Sequence, residues 1–363
     1  AIHPECYWRN LPDSGVFVHA AGHVLKSGPI KNPELTCLQK RQKIEVSIGC
    51  YHQCVYCYGY SRPRYYPRGL VLVNRDLPHA VVEQLRGMLS VKPIYLSPNS
   101  DPFQRGFTEG VTERLVELLV SRGLSFYFVT KGVVTKKVLD LLDGYPYFDA
   151  QLSITTVDEE KRRTIEPNTP TISERLENIE NLVEIGVKPV VRIDPLLPFY
   201  TDDPHELETL LKTVIDLGAR HIIVSYVKLR PEIWGYLKNI FEHRGLGDLV
   251  ERYEDLFFTK PRLISNFNVA LESYRYKNIL WTTSLIKRLS SEVTFATCLE
   301  DSGHPIFRSM WSSPTCEAMN LPVMKRIGNH FAPIQKCSNC NSSSCSRCEY
   351  LTSTSHIESY LNP

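Results

Sequence analysis

The feature that most constrains the fold of this chain is a regular alternation of short apolar runs with amphipathic stretches. Each apolar run is bounded by Gly, Pro or charged residues, which is typical of β-strands. The runs are Glu45–Ile48, Pro93–Ser97, Ser125–Thr130, Ala150–Thr155, Pro189–Asp194 and His221–Tyr226. The amphipathic stretches between them include LPHAVVEQLRGML, VTERLVELLVSRG, ISERLENIENLVEIG and PHELETLLKTVIDLG, and the second and third end at glycines suited to close a helix. The alternation predicts parallel strands joined by crossover helices.

The number of strand and helix units narrows this prediction to an α/β fold of a particular shape. Six units span roughly residues 44–230, which is too few for a closed eight-stranded barrel. We therefore predict an open, partial (β/α)6 TIM-like barrel, with a doubly wound sheet as the alternative. In a barrel of parallel strands, the functional groups gather at the C-terminal ends of the strands.

A run of three cysteines follows directly after the first of these strands. Cys50, Cys54 and Cys57 form a CxxxCxxC pattern. A cubane iron–sulfur cluster takes four thiolates when it only carries electrons, so three ligands imply one iron with a free position. A structural zinc site closes with four ligands, and His52 lies at a spacing unlike a standard zinc knuckle. Disulfides are typical of short secreted chains rather than one of 363 residues, and a 4Fe-4S site is therefore favoured.

Composition and charge exclude several other classes of protein. The hydrophobic content of 42% is ordinary for a packed domain. The formal net charge of +2 gives no sign of the concentrated positive field that proteins held by phosphate backbones carry. No apolar run approaches the roughly 18 residues that a membrane span needs, and the first residues do not resemble a signal peptide. We expect a cytoplasmic protein without a membrane partner.

Several segments in addition to the cysteine run carry a resemblance to a known family. They are SPNSDPFQ at 97–104, FVTKG at 128–132, LSITT at 152–156 and IEPNTPTISERL at 165–176. With these segments in this order, the chain resembles the radical S-adenosylmethionine (SAM) enzymes, and within them the branch of spore photoproduct lyase. The resemblance covers about half of the chain.

The resemblance implies two cofactors and a reaction type. Cys50, Cys54 and Cys57 would ligate three irons of a 4Fe-4S cluster, and the fourth iron would bind SAM. Electron transfer from an external donor would cleave SAM to a 5′-deoxyadenosyl radical, which abstracts hydrogen from an unactivated carbon. The protein's own task is then to orient the reactants and to exclude side reactions. We assign no catalytic residue beyond the cluster and SAM.

The same resemblance implies a set of residues that contact SAM. Tyr56, and with it Tyr58, would lie near the adenine, with packing against the cysteine loop as the alternative for Tyr56. Ser100 and Asp101 resemble the pair that binds the amino group of SAM, although SPNSDP alone would be a turn in which Asp101 caps the backbone. Lys131 would meet the SAM carboxylate.

Two further strands complete this predicted SAM site. Ser153 and Thr155 share one face of their strand, because alternate residues point the same way, and could reach the methionine or ribose of SAM. Arg192 lies in an otherwise apolar run and therefore needs a partner. That partner is either the cofactor or a structural carboxylate, Glu166 or Asp194.

One departure from the family pattern bears on the substrate. Spore photoproduct lyases place a hydrogen-donating cysteine two residues before the SDP element, where this chain has Pro98. Photoproduct repair by the usual route is therefore disfavoured. We predict a maturase acting on a ribosomally made precursor peptide, of the kind that the tyramine-excising spliceases represent, with a small leader-peptide-binding partner. A DNA or RNA repair or modification enzyme is the alternative, and a non-catalytic iron–sulfur module is a third reading.

The C-terminal end carries a second cysteine group. Cys337, Cys340, Cys345 and Cys348 form two CxxC pairs, which indicates either an auxiliary 4Fe-4S cluster or a zinc site, with the cluster favoured. Cys298 and Cys316 are candidate additional ligands, although a buried structural role suits Cys298 better. We divide the chain into an N-terminal extension at 1–43, a barrel at 44–230, a region covering the substrate cleft at 231–336, and a metal-binding tail at 337–363.

Overall fold

The computed structural model describes residues 16–19, 30–31, 40–61, 68–259, 262–264, 266–300 and 305–334. The strands in these ranges are β1 (Val16–His19), β2 (Gln42–Ile44), β3 (Ser47–Ile48), β4 (Val71–Asn74), β5 (Ser90–Val91), β6 (Ile94–Leu96), β7 (Phe126–Thr130), β8 (Phe148–Ser153), β9 (Val190–Leu196), β10 (His221–Tyr226), β11 (Lys228–Leu229), β12 (Arg262–Ile264), β13 (Phe267–Val269), β14 (Thr294–Thr297), β15 (Met324–Ile327) and β16 (His330–Pro333). The helices are α1 (Leu77–Arg86), α2 (Glu109–Ser121), α3 (Lys136–Leu142), α4 (Glu159–Ile165), α5 (Ile172–Glu184), α6 (Pro204–Asp216), α7 (Pro231–His243), α8 (Gly247–Phe257) and α9 (Glu272–Leu289).

The centre of the fold is a seven-stranded parallel sheet in the order β14-β10-β9-β8-β7-β6-β2. The helices that connect its strands pack on the outer face, as the alternating pattern predicts. This is the architecture of a partial TIM-like barrel, and the predicted fold class is confirmed. Five of the six predicted strands correspond to β6, β7, β8, β9 and β10, with boundaries that differ by at most two residues.

The structure corrects the sequence prediction at both edges of this sheet. The predicted first strand, Glu45–Ile48, is not the barrel strand, because Ser47–Ile48 pairs antiparallel with β4 in a separate sheet of three strands. The barrel strand is the preceding segment, Gln42–Ile44, in which only Ile44 is buried. At the opposite edge, β14 adds a seventh strand from the region that we predicted only to cover the barrel.

Local sequence signals explain where the barrel helices begin. Helix α5 starts with a capping box, in which the side chain of Thr171 and that of Glu174 each accept from the other's backbone N–H. Helix α6 has Pro204 in its first turn, and the carboxylate of Asp203 accepts from the first free N–H groups. These caps fix the helix starts close to the strand ends that carry the functional groups.

Side chains alternate between an apolar outer face and a polar inner face along the barrel strands. On β9, Val191 and Ile193 face outward into the main hydrophobic core, whereas Arg192 between them faces inward. On β7, the outward Phe126 and Phe128 alternate with Tyr127, which stacks on a tyrosine of β6. The interior of the barrel is therefore lined by polar groups that partner one another.

A segment at residues 316–319 closes the N-terminal end of this interior. Its main-chain carbonyls accept hydrogen bonds from residues at the start of β10: Cys316 O from His221 Nε2 at 3.0 Å, and Ala318 O from Arg220 at 3.0 Å. Glu317 pairs with Arg41, which comes just before β2. Within the described part of the chain, this segment acts as the floor of the barrel.

The region after the barrel builds a second hydrophobic cluster. Helices α7 and α8 pack on each other and on the loop after β3, and the short strands β11, β13 and β12 form an antiparallel sheet beside them. In this cluster the ring of Trp234 stacks on that of Tyr253, with centroids 5.5 Å apart. Among the described helices, we find none that combines the length and the apolar character needed to cross a bilayer.

Candidate functional site

The three cysteines of the CxxxCxxC run lie together on the loop that follows β3, which we call the cluster loop (residues 49–57). Each thiol of Cys50, Cys54 and Cys57 is partly buried, and none is in a disulfide. The loop contacts the segments that follow β6 and β8, and these leave the C-terminal ends of parallel strands. The cysteines therefore lie at the edge of the barrel where functional groups are expected.

Backbone contacts from the IEPN segment hold this loop in place. Val55 N donates to the carbonyl of Ile165 at 2.9 Å, and the side-chain amide of Asn168 donates to the carbonyl of Tyr51, also at 2.9 Å. The IEPN segment, which follows β8, therefore supports the cluster loop although the two segments are far apart in the sequence.

The entry to the cluster loop requires glycine. Gly49 has a φ of +84°, which side chains rarely adopt, and a Cβ atom there would lie 2.1 Å from the carbonyl oxygen of Leu70. The loop therefore leaves β3 in close contact with the chain that leads into β4. This contact sets the direction in which Cys50 follows.

A fully buried carboxylate, that of Glu166, connects the cluster loop to the barrel strands. It accepts from the hydroxyl of Tyr56 on the loop, from Thr155 Oγ1 at 2.9 Å, and from the guanidinium of Arg175. Lys131 Nζ lies 3.9 Å away. Burial opposes the ionisation of Glu166, but Arg175 and Lys131 outweigh it and hold its pKa at about 2. The carboxylate is therefore charged and joins three predicted site residues.

Asp101 is the second buried acid of the site. One carboxylate oxygen accepts from Phe103 N at 2.8 Å and from Thr130 Oγ1 at 2.7 Å, and the other accepts from Lys131 N at 2.8 Å. His52 Nδ1 on the cluster loop lies 3.5 Å from that second oxygen. These contacts match the backbone-capping use that the turn alone predicts. A role for Asp101 in binding the amino group of SAM remains a prediction.

The lysine that ends β7 lies beside two neighbouring strand ends. Lys131 Nζ donates to Ser153 Oγ at 2.8 Å and lies 3.5 Å from the carbonyl oxygen of Asp194. The residues predicted from β7 and β8 are thus brought together, as alternation along the strand requires. Ser153 and Thr155 both face the group of charged side chains at these strand ends. Ser153 contacts Lys131, and Thr155 contacts Glu166.

Tyr56 on the cluster loop and Tyr58, which follows that loop, differ in exposure. Tyr56 is 7% exposed and its hydroxyl is held by Glu166, so its ring packs inside the loop. Tyr58 is 40% exposed, and its hydroxyl donates to the carbonyl of Pro98 at 2.7 Å. Ser100 Oγ in the same turn donates to the carbonyl of Ser47 at 3.3 Å. Contacts of Tyr56, Tyr58 and Ser100 with SAM remain predictions.

Arg192 has a structural partner within the barrel. Its guanidinium donates to Gln151 Oε1 at 2.9 Å and to Asp194 Oδ2 at 2.7 Å, so Asp194 rather than Glu166 is its carboxylate. Cys298, which follows the last barrel strand, faces the same pair. Burial raises the pKa of the Cys298 thiol to about 11, in opposition to Arg192, and the thiol is neutral.

The donor set of the cluster loop fits an iron–sulfur cluster. Burial raises the pKa of Cys54 to about 12 and lifts those of Cys50 and Cys57 above their ordinary values, so their thiolates need cations beside them. No three His, Cys, Asp or Glu side chains in the described ranges converge on one position for a metal ion. Three thiols on one loop suit a cubane, which takes one thiolate per iron and can leave one iron open, better than a structural zinc, which closes with four ligands.

The predicted second metal group lies outside the residues that the structure describes, since it comprises Cys337, Cys340, Cys345 and Cys348. The structure does bear on the two additional candidates. Cys298 N bonds Val224 O near the end of β10, whereas the carbonyl of Cys316 bonds His221 at its start. Three residues of strand separate these points, about 10 Å. Cys298 and Cys316 therefore contact different parts of β10, and their role as additional ligands remains a prediction.

Sequence reasoning missed Arg175, the main partner of Glu166. It lies on α5, is 2% exposed, and also donates to the main-chain carbonyl of Ser153. The available signal was its place in ISERL, where a helical period puts an arginine on the buried face. A buried arginine needs a carboxylate, and Glu166 precedes it by nine residues.

Comparison with known proteins bears on this arrangement. Residues 44–214 match the model of the Radical SAM superfamily. A protein of Pseudomonas phage M6 named a radical SAM Nα-GlyT isomerase is 26% identical over 320 residues, which cover 82% of this chain and 64% of that protein. An uncharacterised protein of Mycobacterium tuberculosis is 26% identical over 260 residues, covering 68% of this chain and 76% of that protein.

Solved structures share the fold at low sequence identity. A spore photoproduct lyase complexed with dinucleoside spore photoproduct superposes with a TM-score of 0.57 at 13% identity, over 78% of this chain and 82% of that one. A mutant of the lyase reaches 0.59 over the same shares. This likeness shows the fold, and the family match extends over the segments that carry the cysteines, Asp101, Lys131 and Glu166. Residues 44–214 of this chain form a Radical SAM domain.

Proposed function

We propose that this chain binds a 4Fe-4S cluster through Cys50, Cys54 and Cys57 and binds SAM across the adjacent strand ends. The observation that carries the proposal is the placement of three partly buried thiols on one loop beside the polar strand ends of β6, β7 and β8. When bound, the cluster and SAM supply a carbon-centred radical that removes hydrogen from an unactivated carbon. The predicted SAM contacts are Tyr56, Tyr58, Ser100, Asp101, Lys131, Ser153, Thr155 and Arg192.

The chain's own residues would position SAM by charge and shape. Lys131 presents an ammonium at the barrel mouth, held by Ser153 and offset by Glu166, which suits a carboxylate ligand. Asp101 would act mainly by fixing the backbone of its turn, because its two oxygens already accept three protein hydrogen bonds. Tyr58 is the more exposed of the two tyrosines and offers its ring to a ligand at the mouth.

We further propose that the reaction is an isomerisation. An isomer has the same composition as its substrate, so the hydrogen that is removed is returned and no net hydrogen donor is consumed. Pro98 offers no thiol where the lyases place a donating cysteine, so the hydrogen would return from the 5′-deoxyadenosine that took it. The phage relative, whose name is that of an isomerase and which aligns with 82% of this chain, supports the same reaction class.

For the substrate we propose a nucleoside unit, within nucleic acid or derived from it. The dinucleoside ligand of the spore photoproduct lyase structure supports this class. A precursor peptide is the second candidate, and the net charge of +2 favours it because phosphate-binding surfaces usually carry more positive charge. The proposed partners are an external electron donor and, for the peptide candidate, a small leader-binding protein.

The first experiment tests the radical chemistry. The anaerobically reconstituted protein would be reduced with SAM, and 5′-deoxyadenosine would be measured against a Cys54→Ala control. We expect the nucleoside from the wild type alone. A wild-type protein that holds a full cluster and yields none would defeat the proposal.

The second experiment tests the reaction class, once a substrate is found. An isomerase gives a product of unchanged mass, whereas tyramine excision lowers the mass of a peptide. In D₂O, a product without deuterium supports the return of the substrate's own hydrogen. Deuterium in the product would instead show that an exchangeable donor, such as a thiol, takes part, and would contradict the isomerase mechanism.

The third experiment separates the substrate classes. Binding of a fluorescent single-stranded oligodeoxynucleotide would be measured between about 50 and 200 mM salt, over which phosphate contacts weaken steeply. Binding that falls across this range supports the nucleic-acid candidate. Failure to bind the oligonucleotide, with salt-insensitive binding of a precursor peptide encoded beside the gene, would favour the peptide candidate.

A further inference from the structure

One arginine outside the predicted SAM site, Arg68, binds the backbone of the cluster loop. Arg68 NH1 donates to the carbonyls of Gln53 at 3.4 Å and Cys54 at 3.0 Å, and its NH2 donates to the carbonyl of Val55 at 3.1 Å. Three consecutive main-chain carbonyls of the cluster loop therefore accept hydrogen bonds from a single guanidinium. Such convergence fixes the path of the loop at its centre.

Two tyrosine rings contact the same guanidinium. Its central carbon lies 4.0 Å from the ring centroid of Tyr60, which follows the cluster loop, and 3.8 Å from that of Tyr236 on α7. Tyr60 in turn donates its hydroxyl to the carbonyl of Cys50 at 3.3 Å. The planar guanidinium can stack on both faces while its edge donates hydrogen bonds, which an ammonium cannot do.

We propose that Arg68 is a positioning residue that joins the cluster loop to α7 and raises the reduction potential of the cluster bound there. A cluster gains negative charge when it is reduced, and a fixed positive charge nearby stabilises that state. The charge of Arg68 is held in place by its hydrogen bonds to the loop carbonyls and by its contacts with the two tyrosine rings. This inference rests on the cluster-binding part of the proposed function.

The arrangement also connects the cluster to the region after the barrel. Tyr236 belongs to residues 231–336, which we predicted to cover the substrate cleft, and it contacts the cluster loop through Arg68. A change in the position of α7 would therefore alter the stacking of Arg68 and, with it, the loop that carries the ligands. Lys131 and Glu166 cannot provide this connection, because they face the barrel strands.

Four variants separate the charge of Arg68 from its geometry. Arg68→Met removes both, Arg68→Lys keeps the charge but not the stacking, and Tyr236→Leu removes one stacking ring. Arg86→Met is the matched control, because Arg86 is an exposed arginine on α1 that pairs with Glu83. The readouts are iron content, the cluster's reduction potential by anaerobic EPR titration without SAM, and hydrogen exchange of the amides of residues 50–57.

We expect Arg68→Met to shift the potential to more negative values and to speed exchange by about tenfold or more, as loss of charged hydrogen bonds would. Arg68→Lys and Tyr236→Leu should speed exchange while the potential stays close to that of the wild type. Arg86→Met should change neither quantity. An Arg68→Met potential equal to that of Arg86→Met would overturn the electrostatic part of the proposal.

The role of Arg68 can still be tested if a variant, or the wild type, binds no iron. If Arg68→Met holds no cluster, Arg68→Lys and Tyr236→Leu decide, and wild-type exchange rates in both would overturn the positioning role. If the wild-type protein itself binds no iron, the proposed function fails. The exchange comparison on the cluster-free protein still tests the contacts of Arg68, so the two failures are distinguishable.

Discussion

The buried pair of Glu166 and Arg175 gives the sharpest prediction of stability. Glu166 is fully buried, and its pKa of about 2 lies well below its ordinary value of 4.5. That difference corresponds to about 3 kcal/mol of stability at neutral pH, at about 1.4 kcal/mol per pKa unit. Removal of one partner of a buried pair costs a similar amount, about 3–5 kcal/mol. We therefore expect Arg175→Met to destabilise the protein by about 3 kcal/mol at pH 7.

The sign of the pH dependence follows from the lowered pKa. The stabilisation by Glu166 is fully present above its ordinary value of 4.5 and is lost as pH falls towards 2. The difference between the wild type and Arg175→Met should therefore be largest at neutral pH and should narrow below about 4.5.

Thermal unfolding of the anaerobic holoprotein, followed by circular dichroism, measures the effect. A loss of about 3 kcal/mol should lower the Tm by roughly 5 °C or more. Arg105→Met is the matched control, because Arg105 forms an exposed ion pair with Glu174, 2.7 Å across, and such pairs contribute less than about 1 kcal/mol. A Tm for Arg175→Met no lower than that of Arg105→Met at pH 7 would refute the reasoning.

Three further predictions test the loop, the metal sites and the barrel floor. Gly49→Ala should cost about 2 kcal/mol or more and lower the iron content, because its Cβ would meet the carbonyl of Leu70, whereas Gly110→Ala, whose Cβ meets nothing within 4 Å, should leave the Tm unchanged or slightly raised. Elemental analysis of the triple Cys→Ala variant of the cluster loop should find only the metal of the C-terminal cysteines, and wild-type levels of iron would exclude the loop as a ligand set. Burial raises the pKa of Asp149 from 3.8 to about 7 despite Arg220, so stability should fall as pH rises through that interval. Asp149→Asn should flatten the profile of Tm between about pH 4 and pH 7, and an unchanged profile would contradict this.

The sequence predicted the strands that bury apolar side chains and missed those that do not. Strand β10 has all six residues buried and was predicted at its observed boundaries. Strand β2 buries only Ile44, because its neighbour Lys43 faces the polar interior, and periodicity gave no signal there. Strand β14 has four residues after a long helix, and only its pairing with β10 identifies it as part of the barrel.

The candidate site also contains residues that sequence motifs predict and partners that only the tertiary structure shows. The sequence motifs identified the cysteines, Asp101 and Lys131. Each motif follows a strand, and the C-terminal ends of parallel strands converge, so these residues were expected to lie close together. The partners of those residues depend on tertiary packing. Arg192 pairs with Asp194 two residues away, whereas Glu166 pairs with Arg175 on a separate helix. A residue type alone could not distinguish these two outcomes.

The closed floor of the barrel has a consequence for the order of events during turnover. Residues 316–319 bind Arg220 and His221 at the N-terminal end of the strands, and the cluster loop lies beside their C-terminal ends. A small ligand bound next to the cluster loop would therefore be approached from the C-terminal ends, and a large substrate bound over those ends would slow its exit. We expect steady-state kinetics in which the small ligand binds before the large substrate, and random-order kinetics would contradict this.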